Sequence, residues 1–132
     1  QRLHQTVENL KLTESVIFYG PATDGQLGNF YTHAKALVFP SFMEGFGLPG
    51  LEALALGCPV VCSDIVSFRE VYKDVPVYFN PTDENKLVGA LWDIVSKPPS
   101  LDWKKKAKLL VQQYHWSKMA KETLVIYHQT HS

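Results

Sequence analysis

Short apolar runs alternate with longer segments of helical pattern along most of the chain, and each run ends at a proline, glycine or polar residue. The runs are nearly continuous in Val, Ile, Leu, Phe and Tyr and do not alternate with polar residues. This pattern is typical of strands that are covered on both faces of a parallel sheet. It predicts four strands, at residues 16–19, 36–39, 60–62 and 75–79.

Six segments between and after these runs have the pattern of helices. They are residues 24–34, 49–56, 67–73, 83–96, 101–113 and 117–128. In the fourth segment, apolar residues recur at intervals of three and four, which predicts one buried face of an amphipathic helix. That face carries Leu87, Ala90, Leu91, Ile94 and Val95, and Pro98-Pro99 ends the helix.

Residues typical of helix ends support these boundaries. Ser67 with Glu70 three positions later predicts a capping box at the start of the third helix. Pro49 suits the first position of the second helix, and Gly57 suits the residue that follows it. The boundaries of these two helices therefore rest on local chemistry as well as on hydrophobic pattern.

Strands that alternate with helices are joined by right-handed crossovers and lie parallel in one sheet. The fold class expected is α/β, with a doubly wound, Rossmann-like parallel sheet. A length of 132 residues with 45% hydrophobic content suits a single core, which excludes a multidomain or a disordered chain.

Charge gives no general reason to expect a nucleic-acid partner, because 13 basic residues balance 13 acidic ones. The balance is local, however. Residues 1–96 carry six basic and eleven acidic side chains, whereas residues 97–132 carry seven basic and two acidic ones. The lysines of residues 104–108 could contact anionic lipid, but a solvated helix face is the favoured interpretation.

Cysteine and histidine spacing predicts no metal site. Cys58 and Cys62 flank a β-type run, too far apart for a disulfide if that run is a strand, and their spacing does not fit a zinc or redox motif. They are expected to be small buried hydrophobes. His128 and His131 have a spacing that helix ligands can use, but no third ligand accompanies them.

Ligands of open parallel sheets bind outside the carboxyl ends of the strands, so the residues that follow each run are the candidates for a site. Tyr19 ends the first run and Gly20 follows it. Residues 41–48 lead from the second run into a helix and contain two glycines. Free backbone N–H groups at that helix start would suit a phosphate, although a tight turn is the alternative interpretation.

Two carboxylates belong to this region. Glu52 is the only charged residue from Gly45 to Ser63 and lies one turn into a helix made otherwise of Leu, Ala, Gly and Pro. A carboxylate so placed needs a hydrogen-bonding partner, unless it is simply exposed or caps the helix internally. Glu44, in the preceding loop, is by itself equally compatible with a solvated acid.

Taken together, these residues resemble a known signature. Glu44 and Glu52 stand eight positions apart around Gly45-Phe46-Gly47-Leu48-Pro49, which resembles the E-x7-E signature of the group 1, or family 4, retaining glycosyltransferases. The resemblance covers nearly the whole chain. Further matching segments follow in order at residues 16–21, Leu27, Tyr31, residues 38–41, residues 57–61, Ser63-Asp64, residues 69–71 and Trp116-Ser117.

The resemblance implies a GT-B fold, in which two Rossmann-like domains enclose the active site and the C-terminal one holds the nucleotide diphosphate sugar. It assigns Glu44 a catalytic role at the hydroxyls of the donor sugar, and Glu52 a role at the ribose hydroxyls. Backbone N–H groups would contact the sugar or the diphosphate. The substrate-binding set is Glu44, Gly45, Phe46, Gly47, Leu48, Glu52, Tyr19 and Gly20, with no cofactor and no metal implied.

Parts of the family pattern are missing. The chain shows neither the N-terminal acceptor domain nor the first two strand–helix units of the donor domain, which carry an Arg and a Lys for the departing diphosphate. The resemblance therefore implies that residues 1–132 are the C-terminal part of a larger transferase and are inactive in isolation. The acceptor would be a glycan or a lipid-linked molecule bound through the absent domain.

Two alternatives stay open at this point. The chain could be a nucleotide-binding or interaction module without transferase activity. A cytoplasmic location is expected, with membrane association of the longer protein as the other possibility. No nucleic-acid partner is expected.

The strand order of such a domain, 3-2-1-4-5-6, would leave a gap between the strands predicted at residues 16–19 and 36–39. The chain would have to close this gap or leave an apolar edge open. Open edges pair readily with other chains, so self-association is expected.

Overall fold

Three short parallel strands form the centre of the structure, a computed structural model that describes residues 2–130. The strands lie in the order β1-β2-β3, and Leu37 pairs with Val60 while Val61 pairs with Val77. In chain order the elements are α1 Arg2–Asn9, α2 Asp24–His33, β1 Leu37–Phe39, α3 Leu48–Ala55, β2 Val60–Ser63, α4 Val66–Tyr72, β3 Val77–Phe79, α5 Glu84–Ser96, α6 Leu101–Val111 and α7 Trp116–Thr130.

The central strand β2 is buried along its whole length. Its side chains point alternately to the two faces of the sheet. Val60 and Cys62 join a core cluster with residues of α3, α4 and α6, while α5 packs against β2 and β3. Helices thus cover the sheet on both sides, and the predicted α/β fold class is confirmed.

Local sequence accounts for most helix ends. Thr23 and Gln26 form a reciprocal capping box at α2, and the side chain of Asp83 accepts a hydrogen bond from the N–H of Lys86 at α5. After α3, Gly57 adopts a left-handed φ of 78°. The N–H of Gly57 bonds the carbonyl of Leu54 at 3.1 Å, and the N–H of Cys58 bonds the carbonyl of Ala53 at 2.8 Å. These two bonds form a Schellman motif, as the position of the glycine predicts.

The capping box predicted at Ser67 is wrong. Helix α4 begins one residue earlier, and Ile65 occupies the N-cap position with extended backbone and no side-chain cap. The carbonyl of Ile65 already accepts the N–H of Arg69 at 3.0 Å. Ser67 therefore lies inside the first turn, where its hydroxyl cannot cap the helix. Pro49 is likewise the second residue of α3, since the helix begins at Leu48.

The amphipathic pattern of α5 is largely confirmed. Leu87, Ala90, Leu91 and Ile94 are half-buried against the sheet, whereas Val95 is exposed. The sequence does not predict helix α1, since its residues show no extended apolar stripe. In the structure they are all exposed or half-buried. Its His4 stacks on Phe18 with ring centroids 3.8 Å apart.

The strand predicted at residues 16–19 is wrong. This segment belongs to no strand, and Ile17 is 84% exposed. A strand requires a hydrogen-bonded neighbour, and among residues 2–130 none of the three strands pairs with it. Phe18 packs on α1 and Tyr19 on α2 instead. The outer edge of β1 is therefore left unpaired within the described part of the chain.

Both cysteines are free and buried, which confirms the sequence prediction. Burial raises the pKa of the Cys62 thiol to about 12, so this thiol is protonated and unreactive at neutral pH. Among the described residues, no group of three or more His, Cys, Asp or Glu side chains could hold a metal ion. His131 lies outside the described residues. No helix in the described range is long and apolar enough to cross a membrane.

The open edge of β1 predicts self-association of the 132-residue chain. An unpaired strand edge is a template for another chain, and a lysine on an edge strand prevents such pairing. Val38 on β1 and Val77 on β3 are 37% and 38% exposed and occupy equivalent positions on the two edges. We expect sedimentation velocity at micromolar concentration to show dimers or larger oligomers for the unaltered chain.

Val38→Lys and Val77→Lys, one on each edge of the sheet, should each weaken this association. Val88→Lys, at an exposed position of α5 outside the strands, serves as the control and should leave it largely intact. The prediction fails if the unaltered chain sediments as a monomer, or if the edge variants and Val88→Lys behave alike.

Candidate functional site

The loops after the three strands meet at one edge of the sheet, because parallel strands all point the same way. The loop of residues 40–47 follows β1, Asp64 follows β2, and Asn80 follows β3. The first of these loops leads directly into α3, so the predicted site residues 44–48 lie at the carboxyl edge of the sheet, as the sequence predicts.

Glu44 is held in a defined position within this loop. Its carboxylate Oε1 accepts a hydrogen bond of 3.0 Å from the hydroxyl of Ser41, and the side chain of Glu44 is half-buried. The N–H of Ser41 in turn bonds the carbonyl of Phe39 at 3.1 Å, which ties the loop to the end of β1. Glu44 is thus an oriented acceptor and not a freely solvated acid.

The start of α3 presents a run of free donors. Gly47 is the N-cap residue and adopts the left-handed conformation, with φ 83° and ψ 47°. Within the described chain, no hydrogen bond uses the backbone N–H groups of residues 45–48. Such groups at a helix N-terminus, together with its positive dipole end, favour an anion. Pro49 adds no donor, since proline has no N–H.

The carbonyl of Gly47 has a partner from another helix. The hydroxyl of Tyr72, the last residue of α4, donates a short hydrogen bond to this carbonyl, and Tyr72 is fully buried. The sequence analysis did not identify Tyr72. The signal that could have indicated it is the pair Gly47 and Gly50, because a Cβ atom on either glycine would overlap the tyrosine hydroxyl.

Glu52 lies one turn into α3 with its side chain exposed, and it has a partner in α2. Burial raises the pKa of the Tyr31 hydroxyl, and the nearby Glu52 carboxylate raises it further. The Tyr31 hydroxyl of α2 thus lies beside the Glu52 carboxylate, where the sequence argument requires a donor. Because Glu52 is also open to solvent, it retains acceptor positions for a ligand.

A cavity of about 510 Å³ adjoins Glu52 between α3 and the start of α7. Phe46 reaches it from the loop of residues 40–47 and Leu48 from the start of α3. Phe46 meets Tyr114 edge to face with ring centroids 5.5 Å apart. Its size falls in the range of small-molecule sites. Glu52 lines this cavity and Glu44 does not, so the two carboxylates face different surroundings.

Tyr19 and Gly20 stand apart from the loop of residues 40–47. Tyr19 is exposed and packs edge to face on Phe30 of α2, with ring centroids 4.7 Å apart. Gly20 has a left-handed φ of 76° and open space around it. No hydrogen bond among residues 2–130 connects either residue to Glu44.

An ion pair that the sequence analysis did not identify lies at the same edge. The Nε and Nη2 atoms of Arg69 donate to the two carboxylate oxygens of Asp64 at 2.6 and 2.8 Å. The guanidinium carbon lies 3.8 Å from the ring centroid of Tyr78. Hydrogen bonding to Arg69 lowers the pKa of Asp64. Arg69 is thus already paired and is not a free cation for a phosphate.

Comparison with known proteins identifies the family to which this chain belongs. The model of the family described as "Glycosyl transferases group 1" matches residues 1–120 of this chain. That range contains every residue placed in the candidate site.

Two curated relatives are similar over most of the chain. The O-antigen chain mannosyltransferase RfbU of Salmonella typhimurium is 39% identical over 99 residues, which cover 75% of this chain and 28% of that protein. The O-antigen chain mannosyltransferase B of Escherichia coli is 33% identical over 129 residues, covering 95% of this chain and 33% of that protein. The chain therefore spans about a third of the length of these relatives.

A solved structure shares the fold. Sucrose-phosphate synthase from Thermosynechococcus elongatus superposes on 98% of this chain with a TM-score of 0.86 and 28% sequence identity. The match covers 33% of the synthase chain. The expected GT-B assignment is confirmed by this neighbour together with the family match.

The Asp64–Arg69 pair predicts a pH-dependent contribution to stability. The folded-state pKa of Asp64 is lowered, so its ionised form stabilises the fold above the unfolded pKa of about 3.9. This contribution is lost as the pH falls through the folded-state pKa. We expect Asp64→Asn to lower the free energy of unfolding at pH 6 by less than about 1 kcal/mol, because the pair is half-exposed.

Urea unfolding at pH 6 and pH 3 measures this effect. The difference in the free energy of unfolding between Asp64→Asn and the unaltered chain should shrink toward zero at pH 3. Asp93→Asn, at an exposed acid without an ion pair in the described range, is the control and should show little difference at either pH. If Asp64→Asn still lowers the free energy of unfolding at pH 3, the stabilisation does not come from the ionised Asp64–Arg69 pair.

Proposed function

Since this chain belongs to the group 1 glycosyl transferases, we propose that it forms the donor-binding part of a retaining glycosyltransferase. The enzyme would move a hexosyl group from a nucleotide diphosphate sugar to a glycan or lipid acceptor. The observation that carries this proposal is the run of unpartnered N–H groups at residues 45–48, next to the oriented carboxylate of Glu44. An anion site and a hydroxyl acceptor side by side suit a diphosphate sugar.

In this proposal the diphosphate lies at the start of α3. Its negative charge would be met by the backbone N–H groups of Gly45 to Leu48 and by the positive end of the helix dipole. Neither Glu44 nor Glu52 could contact the phosphates favourably, because a carboxylate is an acceptor without a proton to donate. The diphosphate would therefore be bound by backbone, and the carboxylates would bind hydroxyls.

Glu44 would recognise the donor sugar. The hydrogen bond from Ser41 leaves the carboxylate further acceptor positions for sugar hydroxyls. An acceptor that is oriented before the donor binds costs little reorganisation when charge develops at the sugar. This supports the assignment of Glu44 as the residue that acts closest to the reacting carbon.

Glu52 would recognise the ribose. It is one turn along α3 from the proposed diphosphate site, the Tyr31 hydroxyl lies beside its carboxylate, and the side chain is exposed to solvent. Vicinal hydroxyls match a carboxylate that retains free acceptor positions. Tyr19 would lie on the nucleoside side, since it packs on Phe30 of α2, which also carries Tyr31, and Gly20 would follow it there as its neighbour in the chain.

The relatives support a mannosyl donor as the first to test. Both O-antigen proteins are named mannosyltransferases, and this chain is 39% and 33% identical to them. The structural neighbour is named for sucrose-phosphate synthesis, so the shared fold accommodates other sugars. We therefore extend mannosyl transfer to this chain from the relatives' names and not from its geometry.

The remaining parts of the enzyme would come from outside these 132 residues. The relatives are about three times as long, which supports an additional acceptor domain and two further strand–helix units. The exposed apolar side chains of α7 support a further covering segment as well; they include Trp116, Met119, Leu124, Val125 and Ile126. Because Arg69 is paired with Asp64, cations for the departing diphosphate would also come from elsewhere, and the chain alone should transfer no sugar.

A binding panel tests the proposal. Nucleoside diphosphates and their sugars, with GDP-mannose among them, would be titrated by calorimetry into the full-length protein that carries this chain. The proposal predicts micromolar or tighter binding of at least one diphosphate. The 132-residue chain should bind the same compound more weakly. Binding of no member of the panel by the full-length protein would overturn the proposal.

Glu52→Gln should separate ribose recognition from a structural role. In the full-length protein we expect the affinity for the ribonucleotide to fall by about 1.5–3 kcal/mol, because a hydrogen bond to a charged group is lost. A 2′,3′-dideoxy analogue should lose little affinity, since it has no hydroxyls to bind. Glu70→Gln, at an exposed glutamate of α4, is the control and should affect neither ligand. Equal losses for both ligands would make Glu52 structural.

Glu44→Gln should act on the sugar and not on the nucleotide. We expect unchanged affinity for the free nucleoside diphosphate, with turnover of the sugar donor at least tenfold lower, because the amide is a weaker acceptor than the carboxylate. Calorimetry and a product assay on the full-length protein measure the two effects. A variant that also loses binding of the free diphosphate would show that Glu44 is assigned to the wrong part of the donor.

A further inference from the structure

A tyrosine hydroxyl from α4 closes the first turn of α3. Tyr72 donates to the carbonyl of Gly47, and its hydroxyl lies against Gly50. The N–H of Gly50 bonds the same Gly47 carbonyl at 3.1 Å. The hydroxyl therefore holds the carbonyl on which this turn closes, although it lies 25 positions away from Gly47 in the chain.

Two glycines provide the space for this hydroxyl. A Cβ atom on Gly47 or on Gly50 would overlap the oxygen of Tyr72, and a Cβ on Gly47 would also lie 2.7 Å from Cε1 of Phe68. At Gly47, the left-handed φ of 83° disfavours other residues as well. The loop, the helix start and the tyrosine consequently fit together only with these residue types.

The tyrosine is itself firmly supported. Its ring packs on Phe68 with centroids 5.1 Å apart, and Phe68 packs on Phe39 at the end of β1 with centroids 4.9 Å apart. Burial raises the pKa of Tyr72, and the Cys62 thiol and the Glu44 carboxylate raise it further. The hydroxyl thus stays protonated at neutral pH and remains a donor. The orientation of the Gly47 peptide is therefore set by the core of the domain.

We propose that Tyr72 is a positioning residue for the donor diphosphate. It holds the Gly47 carbonyl inward. Because this carbonyl and the N–H of Leu48 belong to the same trans peptide group, that N–H is directed the opposite way, toward the ligand. Tyr72 itself touches no ligand in this arrangement. The inference rests on the proposed function, since it assumes that the diphosphate binds at the start of α3.

The test compares two tyrosines in the full-length protein, the buried Tyr72 and the half-buried Tyr78. Tyr72→Phe removes the hydroxyl that holds Gly47. Tyr78→Phe is the matched control, because the hydroxyl of Tyr78 also donates to backbone carbonyls, those of Phe68 and Lys73 in and just after α4. Affinities for a nucleoside diphosphate and for the corresponding nucleoside would be measured for both variants, together with the free energy of unfolding.

A positioning role predicts a selective loss. Tyr72→Phe should lower the affinity for the diphosphate about tenfold and the affinity for the nucleoside less than about twofold, because only donors to the phosphates are misdirected. Tyr78→Phe should change neither affinity by more than about twofold, even if it lowers stability as much. If Tyr72→Phe does not fold, the amide chemical shift of Leu48 in the unaltered protein is the second measurement. It should move when the diphosphate is added and stay unchanged when the nucleoside is added, and an unmoved signal with both ligands would overturn the positioning role.

Two negative outcomes are distinct. If the unaltered protein binds no nucleoside diphosphate, the proposed function fails and this inference fails with it. If the unaltered protein binds the diphosphate and Tyr72→Phe binds it equally well, or loses nucleoside and diphosphate affinity in parallel, the positioning role is overturned. In that case the proposed function stands.

Discussion

The left-handed conformation of Gly47 is the constraint on which the candidate site depends. It turns the chain from the loop after β1 into α3 within a single residue, and it leaves the preceding N–H groups free. Only a residue without a Cβ fits there, because the hydroxyl of Tyr72 and the ring of Phe68 fill the adjacent space. Core residues thus fix the Gly47 peptide group, which is also part of the candidate site.

This arrangement links the site to three elements of the fold. Ser41 ties Glu44 to the end of β1, Tyr72 ties Gly47 to α4, and Tyr31 of α2 lies beside Glu52. Three of the predicted site residues are therefore contacted by side chains from outside α3. In the proposed site, where backbone groups would bind the charged part of the ligand, these contacts would hold the site in shape before the ligand binds.

Sequence reasoning located the features that depend on local chemistry. The Schellman motif at Gly57, the half-buried stripe of α5 and the loop at Glu44 follow from residue types at short spacing. Sequence reasoning did not predict the features that depend on contacts between residues far apart in the chain. The run at residues 16–19 is apolar enough for a strand but has no strand to pair with in the described chain, and Tyr72 meets Gly47 across 25 positions. Spacing alone could not reveal either fact.

The central claim is that backbone N–H groups at the start of α3 bind the donor diphosphate. Amide chemical shifts of the ¹⁵N-labelled chain during titration with a nucleoside diphosphate test it most directly. The account predicts that the largest shifts occur at Gly45, Phe46, Gly47 and Leu48. Shifts that are confined to the lysine-rich surface of α6, with these four amides unchanged, would contradict it.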